Sequence, residues 1–146
     1  MNSSIILAVF CLIAATAVAK KIPIKDCGSK KATIDSIDIS PCTSIPCPFK
    51  KGTSVNVTID FMSKTTFDSA KSSVHGIIAG IPVPFPMKDS NACHFMECPV
   101  KKGEKRSYTN SVEVLKVYPE ITVLVKWEIV SDGDVICFTV PVKIVS

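Results

Sequence analysis

The chain has 146 residues, 47% of them hydrophobic, and a formal net charge of +4 at pH 7. Once any leader is removed, this is length for one buried core and hardly for two. Basic pairs stand at Lys20-Lys21, Lys30-Lys31, Lys50-Lys51 and Lys101-Lys102, but no aromatic is interleaved with them, which argues against nucleic acid as a partner.

In chain order, the first feature is an apolar run from Ile5 to Ala15. It is too short for a membrane span of about 20 residues. Ala17 and Ala19 supply an A-x-A cleavage site before Lys20, so residues 1–19 read as a signal peptide, although the usual Lys or Arg is missing at its start. The leader carries no charge, so the excess of +4 survives its removal. The product is expected to be soluble, in a lumen or outside the cell. Its lysine doublets then read as solvated surface, with an anionic membrane or acidic partner as the alternative.

Residues 20–146 read as a single domain, and its elements are β throughout. A strand is expected at 32–39. At Thr53–Met62 the residues Val55, Val57, Ile59 and Phe61 share one face, and Ser54, Asn56, Thr58 and Asp60 the other. Residues 67–73 allow a turn or two of helix. Further strands are expected at 74–83, 111–118, 121–129 and 136–144, with punctuation at Pro41, Gly52, Gly103 and Asp132-Gly133. This many short strands predict an all-β, immunoglobulin-like sandwich of two antiparallel sheets.

The run Gly76–Met87 breaks the pattern, being apolar without polar alternation and carrying Pro82, Pro84 and Pro86. Proline cannot donate to a ladder, so this strand belongs at an edge or peels away from the sheet. Sheets in a sandwich lie about 10 Å apart, and a strand peeling off one of them opens an apolar gap. A proline-stiffened edge with Phe85 as ordinary core explains the same residues.

Of seven cysteines, Cys11 falls in the leader and six remain, an even number that suits a secreted, disulfide-braced domain. Cys42 and Cys47 are spaced like Cys93 and Cys98, so each pair can close a small loop and leave Cys27 for Cys137. Six cysteines allow 15 connectivities, and spacing does not choose among them. Zinc held by two Cys pairs is the rival reading, disfavoured by the wide spacing and an oxidising compartment.

A resemblance now covers almost the whole mature chain. It is carried by Asp26-Cys27-Gly28, Pro41-Cys42 to Pro46-Cys47, and Lys51-Gly52 leading to Val55-Asn56-Val57-Thr58. It continues in Val74-His75-Gly76-Ile77, Ile81-Pro82-Val83-Pro84-Phe85-Pro86, Ala92-Cys93 to Cys98-Pro99, Tyr118-Pro119, Val125-Lys126-Trp127 and the ending Pro141–Ser146. Together, in this order, they resemble the Niemann-Pick type C2 group of the MD-2-related lipid-recognition (ML) family. The loop Asn91–Cys98 is similar to that of arthropod members and mite group 2 allergens. The resemblance implies the sandwich, the pairing Cys27–Cys137, Cys42–Cys47 and Cys93–Cys98, and an apolar ligand between the sheets, with no cofactor.

Carried over by position, the family's sterol-binding residues fall on Phe85, Val114 and Tyr118, with Val83 beside Phe85 and with Trp127 and Phe138 walling the cavity or packing behind it. On one strand, Lys116 would sit awkwardly between Val114 and Tyr118 unless the strand is irregular or the lysine snorkels to the rim. Relatives tend to carry tryptophan where Phe138 stands, which implies a pocket of different shape.

The expected function is binding of a sterol and its delivery to membranes or an acceptor, by a monomer that is secreted or lysosomal. Extracellular carriage of fatty acids or semiochemicals, lipid recognition in immunity, and a solid sandwich without ligand are the alternatives. An enzyme is not expected. His75 and His94 lie in no nucleophile, zinc or P-loop motif, and the acidic residues, scattered singly, suggest no paired-carboxylate site. Asn56-Val57-Thr58 is an N-glycosylation sequon on the polar face of its strand.

Overall fold

Period-two alternation carries directly into two packed sheets. The computed structural model describes residues 24–146, so the signal-peptide reading of residues 1–19 and the pair Lys20-Lys21 lie outside it. Among the described residues the strands are β1 (Lys25–Asp26), β2 (Ala32–Ser40), β3 (Cys47–Lys50), β4 (Thr53–Ser63), β5 (Lys71–Ile78), β6 (Ile81–Pro84), β7 (Lys105–Val114), β8 (Thr122–Val130) and β9 (Asp134–Val145). The larger sheet runs β1-β9-β8-β5-β6, with β3 alongside β9; the smaller runs β2-β4-β7. All pairings are antiparallel except β3 with β9, which is parallel.

The inward faces follow the sequence pattern. Val55, Val57, Ile59 and Phe61 of β4 are buried against Val123, Val125, Trp127 and Ile129 of β8, with Ser54 and Asn56 exposed behind them. On β9 alternation fails, because every residue from Val135 to Val140 is buried. There β1 and the chain after it run beside β9 in the same sheet, and Cys27 is bonded to Cys137. The Ser29 hydroxyl accepts from Cys137 N at 2.9 Å, and Cys27 N donates to Cys137 O at 2.9 Å. Disulfides join Cys27 to Cys137, Cys42 to Cys47 and Cys93 to Cys98, so the sulfurs that a zinc site would need are bonded to one another.

Three expected elements differ. Residues 74–83 are not one strand but parts of a hairpin, with β5 ending at Ile78 and β6 starting at Ile81. Ala79 (φ 49°) and Gly80 (φ 79°) are both left-handed, the backbone of a type I′ turn. Alanine at the first of these positions disguises the turn in an apolar run. The strand expected at 111–118 is β7, which begins earlier, at Lys105, and stops at Val114. The helical turn allowed at 67–73 is absent; Phe67 bridges Val100, Lys71 opens β5, and a short 3-10 turn occurs instead at Ala92–His94.

Candidate functional site

The β5–β6 hairpin overhangs the end of the sandwich where β7 stops. Prolines 82 and 84 of β6 pair with Ile77 and His75 on the outermost strand, while the alternate amides face β5, as in the 2.8 Å bond from Phe85 N to Val74 O. This is the arrangement in which proline costs a sheet nothing. It also aims Val83 and Phe85 to the same side as Gly76 and Ile78.

Facing them is the segment 115–121, in which the chain turns back after Val114. Tyr118 presents its ring to Phe85 edge-on, with centroids 5.4 Å apart and planes at 84°. Between them lies a cavity of about 130 Å³, lined by Gly76, Ile78, Val83, Pro84 and Phe85 on one side and by Tyr118, Pro119, Ile121, Val123 and Ile144 on the other. Every lining side chain is hydrocarbon except the Tyr118 phenol. Partial burial, and then the Glu113 charge, push that phenol above its usual range, so it stays neutral.

Of the five residues expected at a lipid site, the structure brings Val83, Phe85 and Tyr118 together. Val114 and Trp127 lie outside the lining. Val114 is buried at the end of β7, where its carbonyl accepts from Gly52 N at 2.6 Å. Trp127 is 1% exposed and packs edge-on to Tyr108 at 6.3 Å; Phe138, its cross-strand partner, is equally buried. Because the strand ends at Val114, Lys116 does not share a face with Tyr118. It is exposed, with its side chain lying over Gly52. Ile78, Ile121, Val123 and Ile144 carried no sequence signal separating slot wall from ordinary core.

Two ion pairs tie the ends of the slot. Lys88, just beyond Phe85, meets Glu113 of β7 at 2.7 Å, and Lys51 meets Glu120 of the 115–121 segment at 3.7 Å. Lys88 is exposed and Lys51 half-buried, so solvent screens both pairs and neither is a major source of stability. Ile81, Val83 and Val117 stand 64%, 44% and 85% exposed on these overhanging segments, an apolar rim. His75 is half-buried on β5, whereas His94 is exposed and paired with Asp89 at 2.6 Å.

Two carboxylates that stand apart in the sequence, Glu128 and Asp134, are brought together beside Cys137 by the β8–β9 hairpin. No metal chemistry follows. The Cys137 sulfur is bonded to Cys27, and the Lys126 ammonium sits 3.6 Å from Glu128. Burial, and then Asp134, hold the Glu128 carboxyl above its ordinary value. Because its folded pKa is raised, Glu128 contributes stability that is full below its unfolded pKa and lost as pH rises through the folded one. Glu128→Gln is therefore expected to raise the melting temperature at pH 7.5 and change little at pH 4. A parent-minus-variant difference that stays flat with pH is the contrary result. Asp26, Asp89 and Glu104, whose carboxyls are lowered, act in the opposite direction in both proteins and cancel in that difference.

The family model described as "ML domain" matches residues 21–144. The chain belongs to the ML domain family. It is 38% identical to "NPC intracellular cholesterol transporter 2" of Bos taurus over 138 residues, 92% of this chain and 93% of that protein. It is also 38% identical to "NPC intracellular cholesterol transporter 2 homolog a" of Drosophila melanogaster over 143 residues, 94% and 97% of the two chains. Among solved structures, a Niemann-Pick type C2 protein from Japanese carpenter ant superposes with a TM-score of 0.77 at 25% identity, covering 84% of this chain and 98% of that one. The ML domain is therefore an all-β sandwich here as in the ant protein.

Proposed function

We propose that this ML domain binds a sterol in the slot between the β5–β6 hairpin and the 115–121 segment, and delivers it to a membrane or a membrane-bound acceptor. The observation that carries the reading is the apolar slot itself, walled by Val83, Phe85 and Tyr118. Relatives named as cholesterol transporters, matched over nearly their whole length, support the ligand class. We read the protein as a carrier and not an enzyme, since such a task asks for hydrocarbon walls and no nucleophile. Pockets for small molecules commonly occupy about 300–1,000 Å³. A slot of about 130 Å³ must therefore widen as ligand enters, by parting Phe85 from Tyr118. Lipid extracted from the purified protein and identified by mass spectrometry tests the reading. A sterol supports it; a fatty acid, or a protein isolated empty, counts against it.

The same reading takes residues 1–19 as a cleaved export signal and 20–146 as the mature domain, a monomer in the secretory route or the lysosomal lumen. Asn56 is exposed on the outer face of β4 and is the proposed glycosylation site. Lys116, next to the rim residue Val117 in the chain, and Lys50 are exposed cations available to an anionic surface. Transfer of dehydroergosterol between vesicles is expected to quicken as anionic lipid is added. It should slow as salt rises, because exposed charges are screened over about 10 Å at 0.1 M. Equal rates on neutral and anionic vesicles would return these lysines to plain solvated surface.

A further inference from the structure

Gly76 sits mid-strand in β5, paired with Val83 of β6 on one side and Val125 of β8 on the other. It occupies no left-handed turn; the positive-φ glycines are Gly28, Gly52, Gly80, Gly103 and Gly133. A glycine in a strand interior loses a packing side chain and costs about 0.5–1 kcal/mol relative to alanine. Something must need the missing methyl. A Cβ added here would lie 2.9 Å from Phe85 Cε2, 3.6 Å from Cδ2 and 3.8 Å from Cζ. The Phe85 ring therefore rests on bare backbone, where ordinary carbon contacts require about 3.5–4.0 Å. On its other side the ring meets Tyr118 at 5.4 Å.

We propose that Gly76 is the positioning residue of the slot: its bare α-carbon sets how deeply Phe85 seats, and so how far the ring can part from Tyr118 to admit a flat ligand. A methyl at position 76 presses the ring toward Tyr118 and removes the room it needs to part, without disturbing the strand, whose backbone alanine adopts freely. This inference rests on the sterol reading for its ligand class and on contact geometry alone for the placement of Phe85.

The test compares parent, Gly76→Ala, Phe85→Leu and the double variant, using fluorescent capture of dehydroergosterol and of cis-parinaric acid. Gly76→Ala is expected to weaken capture at least ~10-fold, or about 1.4 kcal/mol, with a melting temperature at or slightly above the parent's. The double variant should recover to within ~3-fold of Phe85→Leu alone, because the smaller side chain clears the methyl. A Gly76→Ala protein that captures both probes like the parent would overturn the proposal, as would a double variant no better than Gly76→Ala. If the parent takes up cis-parinaric acid but no dehydroergosterol, the sterol reading fails while Gly76 is still judged on the fatty acid. If it takes up neither, the NMR shifts of the Tyr118 ring protons decide: they should move in Gly76→Ala, and unchanged shifts refute the role.

Discussion

Replacing Cys27 and Cys137 together by alanine is expected to be the most destabilising change in this protein that leaves its hydrophobic core intact. The bridge spans a sequence separation of 110, against 5 for each of the other two. In the chain-entropy account, a loop of that length is worth roughly 5 kcal/mol and a loop of the shorter kind roughly 2. The local packing adds to the asymmetry. Cys137 is fully buried in β9, and the chain running beside it is β1 with residues 27–31, held there by the disulfide and by the Ser29 and Cys27 bonds. Without the bridge, β1 has only two residues of ladder to keep it on the sheet. Thermal unfolding of the double variant should show a loss on the order of 15 °C or more. The matched Cys42→Ala/Cys47→Ala protein should lose less than half as much. Equal losses would mean that loop length does not govern the effect here.

Phe85→Ala is expected to abolish most lipid capture while sparing the fold. The ring is only half-buried: it packs on the margin of the core, over Gly76, and its other neighbours are Tyr118 and the slot. Truncation therefore removes an aromatic wall worth several tenths to about 1.5 kcal/mol to its partner ring, plus its contact with ligand, and opens little new void. Dehydroergosterol capture should fall at least ~10-fold, with a change of a few degrees in melting temperature. Tyr118→Ala should behave alike from the opposite wall. Trp127→Ala is the contrast, since a fully buried indole replaced by a methyl costs about 3–5 kcal/mol and should threaten folding before binding is asked about. A Phe85→Ala protein that melts much earlier than its parent, yet captures lipid as tightly, would assign Phe85 to the core.

What the sequence disclosed and what it withheld divide along physical lines. Strands with one wet face, such as β4 and the middle of β8, announce themselves by period two, and their inward residues are the ones buried. β9 gives no such contrast where the disulfide-pinned segment runs beside it, although its apolar run still marks it as a strand. The slot was half legible. The prolines point to an edge strand, and the resemblance supplied Phe85 and Tyr118. Ala79-Gly80 hid a hairpin inside an apolar run, so the overhang that makes one wall became visible only in three dimensions. Likewise, the end of β7 at Val114 removes Lys116 from the slot face and explains how Tyr118 reaches Phe85 from a turn and not from a strand. Glu128 and Asp134 meet across a hairpin register, which spacing along the chain does not encode.

β6 has a second consequence. It is an outermost strand with Ile81 and Val83 largely exposed, the combination that ordinarily recruits strands from other chains and seeds aggregates. Its solvent-facing amide positions are Pro82 and Pro84, which have no N–H to offer an incoming strand. A newcomer would find carbonyls without donors and could not register a ladder. The greasy lip is therefore open to molecules that need no backbone pairing, lipids among them, and closed to other polypeptides seeking an edge.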